Sequence, residues 1–217
     1  MYPPELHYNI RMKTRGLGCL AALCFGVSAA GAPLTIPYQL THSQNMDPSP
    51  NPDGKRLVFI SVIAGKEQLF TMNADTSDTI QITRDDADHE DPAWSPDGTK
   101  IACTAITKTE ERIYVMNPDG NDAKAVSPAA VRAIHPAWST DSNRVIYCTD
   151  DDLLPPRKND SDIDVVELAT GKVTTLITGG VNTYPAWSPD GKTLYFTNCA
   201  AKDYGTDCEI LVSKLPL

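Results

Sequence analysis

The stretch that decides the fold is Asp91-Pro-Ala-Trp-Ser-Pro-Asp-Gly98. It recurs as His135-Pro-Ala-Trp-Ser-Thr-Asp-Ser142 and as Tyr184-Pro-Ala-Trp-Ser-Pro-Asp-Gly191, and a weaker copy runs from Asp47 to Gly54. The copies begin at residues 47, 91, 135 and 184, so the period is 44 to 49 residues. A period of about 40–45 residues is typical of a four-stranded propeller blade. The sequence therefore predicts four such blades.

The remainder of each repeat supplies further strands. An apolar run follows each quoted stretch, as at residues 57–60 and 101–104, and a second run such as residues 113–116 comes after a variable segment. A turn and a short strand that ends in a hydroxyl residue, such as residues 80–83, complete the unit. Regularly spaced short strands with turn signals between them predict an all-β protein.

The Ser-Pro-Asp-Gly stretches are predicted to be tight turns between the first two strands of a blade. Proline presets φ for a type I turn, aspartate caps the local backbone, and glycine accepts a left-handed conformation. The third copy carries Thr140-Asp-Ser-Asn143 and lacks both proline and glycine. Asn143 is the residue predicted to adopt a positive φ there, since asparagine tolerates it best.

The two ends of the repeat array predict how a ring would close. Residues 36–41 have the pattern of an outermost strand, and residues 208–214 have that of a third strand without a fourth after it. Pairing of the two would complete the last blade and hide sheet edges. We therefore predict a closed four-bladed propeller in residues 33–217. The alternatives are a homodimer that forms an eight-bladed ring and a truncated copy of a larger gene.

The repeat resembles that of the TolB family. The resemblance rests on residues 91–98 followed by Ile113-Tyr-Val-Met-Asn-Pro-Asp-Gly120, and it covers residues 36–214. It implies a periplasmic propeller that binds protein partners at its ring face; TolB itself docks an outer-membrane lipoprotein. TolB has six blades and a separate N-terminal domain, which this chain has no room for. The same repeat occurs in propeller domains of prolyl oligopeptidase-type peptidases and in oligogalacturonate lyases, so the resemblance implies the fold more strongly than the function.

Residues 1–32 have the pattern of a signal peptide. Lys13 and Arg15 form a basic region, residues 17–30 are mostly apolar and small, and Ser28-Ala29-Ala30 offers a cleavage site. Met12 is a more natural start than Met1 for such a leader. The apolar run is too short to span a membrane. The sequence thus predicts a periplasmic or secreted protein.

The cysteines agree with export. Cys199 and Cys208 flank a turn-like stretch between two strands, and we predict a disulfide between them, because disulfides persist in oxidising compartments. Cys103 and Cys148 are predicted to be small buried residues on two strands, with a bridge between them less favoured. The sequence has no Cys-x-x-Cys pair, so it gives no indication of a zinc site or of thiol-redox chemistry.

A candidate binding surface lies where each repeat begins. The formal net charge of −9 argues against nucleic acid and favours proteins, cations or neutral ligands as partners. The residues that open the first strand share one phase and are expected to line one rim of the ring, with an acidic cluster beside them. The predicted rim consists of Asp47, Asp88, His89, Glu90, Asp91, His135 and Tyr184. The recurring Trp94, Trp138 and Trp187 are predicted to pack between blades.

Catalytic patterns are weak. The chain lacks a Gly-x-Ser-x-Gly elbow and a His-x-x-x-His pair, so we predict neither a peptidase nor a bound cofactor. Residues 160–164 resemble calcium ligands, but Val165 and Gly171 stand where an EF-hand needs glycine and glutamate, so calcium is the less favoured interpretation. The leading hypothesis is a scaffold that binds a protein of the cell envelope. The alternative is a carbohydrate-active or sugar-binding propeller related to oligogalacturonate lyases, with His89 or His135 at its site.

Overall fold

The fold is built from β-strands alone in the part of the chain that the structure describes. That part comprises residues 45–150, 160–199 and 208–214 of a computed structural model. Its strands form four sheets, which we number I to IV in chain order. The leader at residues 1–32 and the closing strand at residues 36–41 lie outside the described residues and stay predictions. The described residues contain no helix long and apolar enough to cross a membrane.

The strands follow the predicted repeat. Sheet I contains β1 (Asn45–Pro50), β2 (Arg56–Ile63), β3 (Lys66–Asn73) and β4 (Ile80–Gln81). Sheet II contains β5 (Asp88–Trp94), β6 (Ile101–Ile106), β7 (Glu111–Met116) and β8 (Lys124–Ala125). Sheet III contains β9 (Arg132–Trp138), β10 (Arg144–Asp150), β11 (Ile163–Glu167) and β12 (Val173–Ile177). Sheet IV contains β13 (Val181–Trp187), β14 (Thr193–Cys199) and β15 (Cys208–Lys214).

Each sheet is an antiparallel meander with its strands in chain order. The first strands of neighbouring sheets contact one another, β1 with β5, β5 with β9 and β9 with β13. Contact between first strands places them on the inner side of the array, as in a propeller. The all-β, blade-like architecture is thereby confirmed.

The core lies between successive sheets. Val58 and Ile60 of sheet I pack against Ile101 and Cys103 of sheet II, and all four are at most 1% exposed. Equivalent clusters join sheet II to sheet III and sheet III to sheet IV. Burial of each large aliphatic side chain contributes about 1.5–3 kcal/mol, so these three interfaces hold the array together.

The recurring tryptophans lie in these interfaces. Trp94 and Trp138 are 7% and 8% exposed and belong to the clusters that join their sheet to the preceding one. The Trp138 indole also donates a hydrogen bond across that interface to the Ala93 carbonyl, at 2.9 Å. Trp187 is half-buried, and the Arg144 guanidinium carbon lies 4.9 Å from the centre of its ring.

The tight turns form as expected, with one correction. In the second copy the Ser95 hydroxyl donates to Asp97 Oδ1 at 2.6 Å, the same oxygen accepts the Thr99 amide, and Gly98 has a φ of +73°. In the third copy Ser142 has a φ of +59°, so the prediction of a positive φ at Asn143 is wrong. The Ser142 amide donates to the Ser139 carbonyl as the Gly98 amide does to Ser95. The hydrogen bond of the turn therefore determines which residue has the left-handed backbone, and the conformational preference of asparagine does not shift that conformation to Asn143.

The cysteines are placed as predicted. Cys199 and Cys208 form a disulfide between directly opposed residues of β14 and β15. Cys103 and Cys148 are buried and outside any disulfide.

Ring closure is not seen in the described residues. In the described residues, sheet I packs on sheet II, sheet II on sheet III, and sheet III on sheet IV. Sheets IV and I do not pack on each other to a comparable extent in these residues. The closed four-bladed ring therefore stays a prediction.

Candidate functional site

A β-bulge recurs at the same place in every inner strand. In sheet II, Glu90 pairs with Thr104 and Ala93 with Ala102, so Asp91 and Pro92 together face the single residue Cys103. The pairing of β1, β9 and β13 shifts at the equivalent point. Such a bulge re-aims one side chain and bends the strand.

The residue before the proline of each bulge has a left-handed backbone. The four φ values lie between +48° and +54°, although none of the residues is glycine. These residues, which we call the bulge rim, are Asp47, Asp91, His135 and Tyr184. A positive φ on a non-glycine residue costs of order 1–2 kcal/mol and clusters at functional sites. The sequence predicted the shared phase of these four residues, and the structure adds their shared backbone conformation.

Three members of the bulge rim are contiguous. Asp91 Oδ2 lies 4.0 Å from His135 Nε2, and the His135 ring stacks on the Tyr184 ring with centroids 4.2 Å apart. His135 Nδ1 is 3.1 Å from the Thr183 hydroxyl, which orients the imidazole. Tyr184 is 61% exposed. The rim thus carries an aromatic platform next to an acid, while Asp47 is exposed at the sheet I end.

An acidic group surrounds Glu90, directly before Asp91. Burial, followed by the nearby carboxylates of Glu67, Asp91 and Glu111, raises the pKa of Glu90 to about 7. A hydrogen bond with the Glu67 side chain adds to this rise in pKa. A hydrogen bond to a neighbouring carboxyl group and nearby negative charge both favour the protonated form of a carboxylic acid. Around neutral pH the Glu90 carboxyl is therefore only partly protonated, and an incoming cation would displace that proton.

Neighbouring cations balance part of this charge. Asp88 accepts hydrogen bonds from the Lys66 ammonium at 3.3 Å and from the Glu67 amide at 3.0 Å. Arg132 forms an ion pair with Glu111. Glu67 and Glu111 were not part of the predicted site, since each lies on the third strand of its sheet and only the fold brings it to the inner strand.

His89 lies beneath the surface rather than on it. Its side chain is 3% exposed, with Nε2 2.8 Å from Asp85 Oδ1 and Nδ1 3.7 Å from the Cys103 sulfur. Burial, with the nearby Asp85 and Asp91, raises the pKa of the Cys103 thiol, which keeps it protonated. The Asp85–His89–Cys103 row is therefore a packed hydrogen-bonded group without an accessible nucleophile.

A cavity of about 630 Å³ opens beside Asp88. It lies between the connection from sheet I to sheet II and the turn that joins β6 to β7. Its lining includes Lys66, Asp85, Arg112 and Tyr114.

The calcium interpretation gains no geometric support. Of the acidic residues considered, Asp160 and Asp164 each have one buried oxygen without a hydrogen-bond partner, and Asp164 is 7% exposed. Among the described residues, no group of three or more histidine, cysteine or acidic side chains is placed to hold a metal ion.

Comparison with known proteins agrees with this architecture. Residues 38–199 match the family model described as the TolB beta propeller domain. A search of curated protein sequences found no match. The structure resembles TolB from Acinetobacter baumannii, with 18% identity, a TM-score of 0.62, and coverage of 77% of this chain and 40% of the other. It also resembles a candidate TolB from Agrobacterium tumefaciens, with 20% identity, a TM-score of 0.58, and coverage of 81% and 61%.

An enzyme is among the similar structures. An oligogalacturonate lyase in complex with manganese has 16% identity, a TM-score of 0.60, and coverage of 77% of this chain and 49% of the other. At such identities the similarity shows the fold alone. The chain spans between two fifths and three fifths of the length of these proteins.

Proposed function

This chain belongs to the TolB β-propeller domain family, and from that premise we propose that it is a non-enzymatic scaffold whose bulge rim binds a basic segment of a protein partner. The observation that carries the proposal is the acidic group at Glu90 beside the exposed Tyr184–His135 stack. Acidic side chains attract a lysine or arginine, and an exposed aromatic ring offers it a cation–π contact or packs on its aliphatic stem.

The chemistry of Glu90 gives binding a pH signature. A cation placed next to Glu90 lowers its pKa, so the partner and the proton compete for the same carboxylate. Binding is therefore expected to tighten as the pH rises from about 6 to about 8, on either side of the raised pKa. The variant Glu90→Gln cannot release this proton and should lose most of the pH dependence.

We further propose that the protein works in the periplasm or outside the cell, with a protein of the cell envelope as partner. The Cys199–Cys208 disulfide supports an oxidising compartment. The TolB family membership points in the same direction.

Affinity capture from an envelope extract of the source cell tests the proposal. The full chain is used as bait, and recovered proteins are quantified by mass spectrometry. One dominant partner should be recovered in near-stoichiometric amount and should be reduced at least tenfold by Asp88→Asn with Asp91→Asn. The matched control is Asp75→Asn with Asp119→Asn, which removes two charges from exposed outer turns. Equal recovery with both double variants would contradict a binding site at the rim.

One observation favours a second candidate, a sugar-binding or carbohydrate-active propeller. An exposed tyrosine stacked on a histidine, with a carboxylate 4.0 Å from that histidine, is also a suitable platform for a sugar ring. Under this proposal, Tyr184→Ala abolishes binding of oligogalacturonate, and His135→Ala abolishes any metal-dependent cleavage. Absence of both binding and cleavage with added divalent metals would remove this candidate.

A further inference from the structure

Sheet IV has an exposed apolar face on the side away from sheet III. Ala186, Tyr195 and Val212 lie opposite one another across its three strands, and Ile210 adjoins them on β15. Tyr195 is 45% exposed, Val212 64% and Ile210 81%. We call these four residues the open face.

The position of Ile210 is buried in every other sheet. The residue that corresponds to Ile210 is Leu69 in sheet I, Ile113 in sheet II and Ile163 in sheet III, and each of these is 0% exposed. Each is covered by the next sheet in the array. The open face is thus a fourth copy of a surface that is used for packing three times in this molecule.

The face is also low in charge. On this side of β14 and β15, the described residues are threonines, cysteines and apolar residues, with Lys214 at one end. The chain as a whole carries a formal charge of −9. Two acidic molecules approach most easily through a surface whose described residues bear no carboxylate, and a contiguous apolar patch marks an interaction site.

At the opposite end of the array, the outer face carries apolar side chains that are buried. The face of sheet I away from sheet II includes Phe59 and Met72, which are 5% and 3% exposed, and Phe59 stacks on Phe70. A head-to-tail contact would need this face as the receptor for the open face. Because these side chains are already buried, a second copy is better received by its own open face.

We propose that the open face is a homodimer interface in which the sheets IV of two copies pack face to face about a two-fold axis. The contact is isologous, so Tyr195, Ile210 and Val212 of each copy meet the same residues of the other. Two sheets stacked in this way lie about 10 Å apart with their side chains interdigitated. A face-to-face pair differs from an eight-bladed ring, in which sheet IV would contact sheet I of the other copy.

Sedimentation equilibrium of the full chain over a wide concentration range tests the proposal. The wild type should show a monomer–dimer equilibrium, and Ile210→Lys with Val212→Lys should weaken the association at least a hundredfold. Ile63→Lys with Ile80→Lys is the matched control, because those isoleucines are exposed by 46% and 49% outside the open face. A cooperative thermal unfolding transition in each variant would show that the variants fold.

A cross-link distinguishes the geometry. With Val212→Cys, an isologous dimer places both introduced thiols within the same small contact patch, so a short bifunctional maleimide yields a covalent dimer. A wild type that stays monomeric throughout would overturn the proposal. So would association that survives the lysine pair, or a dimer in which the Val212→Cys variant fails to cross-link.

Discussion

At the scale of the residue, the backbone conformation of the bulge rim does not depend on which side chain is present. Aspartate, histidine and tyrosine all adopt a φ close to that of the left-handed helix at the same point of the repeat. A residue before proline normally avoids helical conformations and is extended. The bulge imposes the exception, since two residues must fit opposite one residue of the next strand. The repeat pattern reveals the common phase of these residues, but it contains no signal for a backbone state that a neighbouring strand imposes.

Gly120 is the glycine whose replacement is expected to cost most. A β-carbon there would lie 2.0 Å from the Ile82 carbonyl oxygen, and its φ is +85°. Gly171 occupies the equivalent turn of sheet III with a φ of +70° and nothing within 4 Å of such a carbon. Gly171→Ala should therefore cost about 1 kcal/mol from backbone strain alone, and Gly120→Ala about 2–3 kcal/mol or more, since a clash adds to the strain. Urea unfolding measures both; equal losses would refute a close approach at Gly120.

Glu90 should make stability depend on pH. Its pKa is raised from 4.5 to about 7 in the folded protein, so the fold binds the proton more tightly than the unfolded chain does. As far as this group is concerned, stability is therefore highest at a pH below the unfolded pKa of 4.5, and it falls as the pH rises to about 7. Glu90→Gln should raise the free energy of unfolding at about pH 8 by about 1–2 kcal/mol, a figure reduced for solvent screening, and should leave it unchanged at about pH 4.

Chemical unfolding at both pH values checks this expectation. Glu167→Gln, at an exposed glutamate of sheet III, serves as the control. A gain for Glu90→Gln that is the same under acidic and mildly basic conditions would show that it does not come from the carboxylate.

At the scale of the element, the strands and turns were the most predictable features. Their order, the meander in each sheet and the Ser-x-Asp turns depend on local chemistry that repeats in the sequence. The failure at Asn143 is instructive, because residue preference pointed one position too far along the chain. The turn hydrogen bond between Ser142 and Ser139 determines which residue is left-handed.

The disulfide is expected to stabilise β15. Cys199 and Cys208 are separated by 9 positions in the sequence, and closure of a loop of that length lowers the entropy of the unfolded chain by an amount worth about 2–3 kcal/mol. Cys199→Ser with Cys208→Ser should lower the free energy of unfolding by up to this amount. Reductant should lower the stability of the wild type to that of the double variant and leave the variant unaffected. A wild type insensitive to reductant would show that the bond contributes little.

At the scale of the whole molecule, each described sheet packs on its neighbours in the array. Stability in such an array is approximately a sum of unit and interface terms, so a unit with one packed face opens first. In the Ile210→Lys, Val212→Lys variant, backbone amides of sheet IV should exchange hydrogen at least tenfold faster than those of sheets II and III. Native-state hydrogen exchange by mass spectrometry measures this difference. Uniform exchange across all four sheets would show instead that the array unfolds as one unit.

The site was less predictable than the fold, for a physical reason. The hydrogen bond between Glu67 and Glu90 and the stacking of His135 on Tyr184 join residues from different sheets. Such contacts depend on register and on the angle between sheets, which a single repeat pattern does not encode. His89 is a different case. Its position in the sequence, next to the predicted rim residues, led to its inclusion in the rim, but in the structure its side chain is buried.

The left-handed residue of each inner strand also bears on how such blade arrays diversify. Since the bulge imposes this conformation, the side chain at that position can change while the backbone stays the same. Duplication of a repeat, followed by substitution at residues 47, 91, 135 and 184 alone, would change the ligand preference of the array and leave the sheets unaltered. For protein engineering, these four codons define a compact library in which every member inherits the same scaffold.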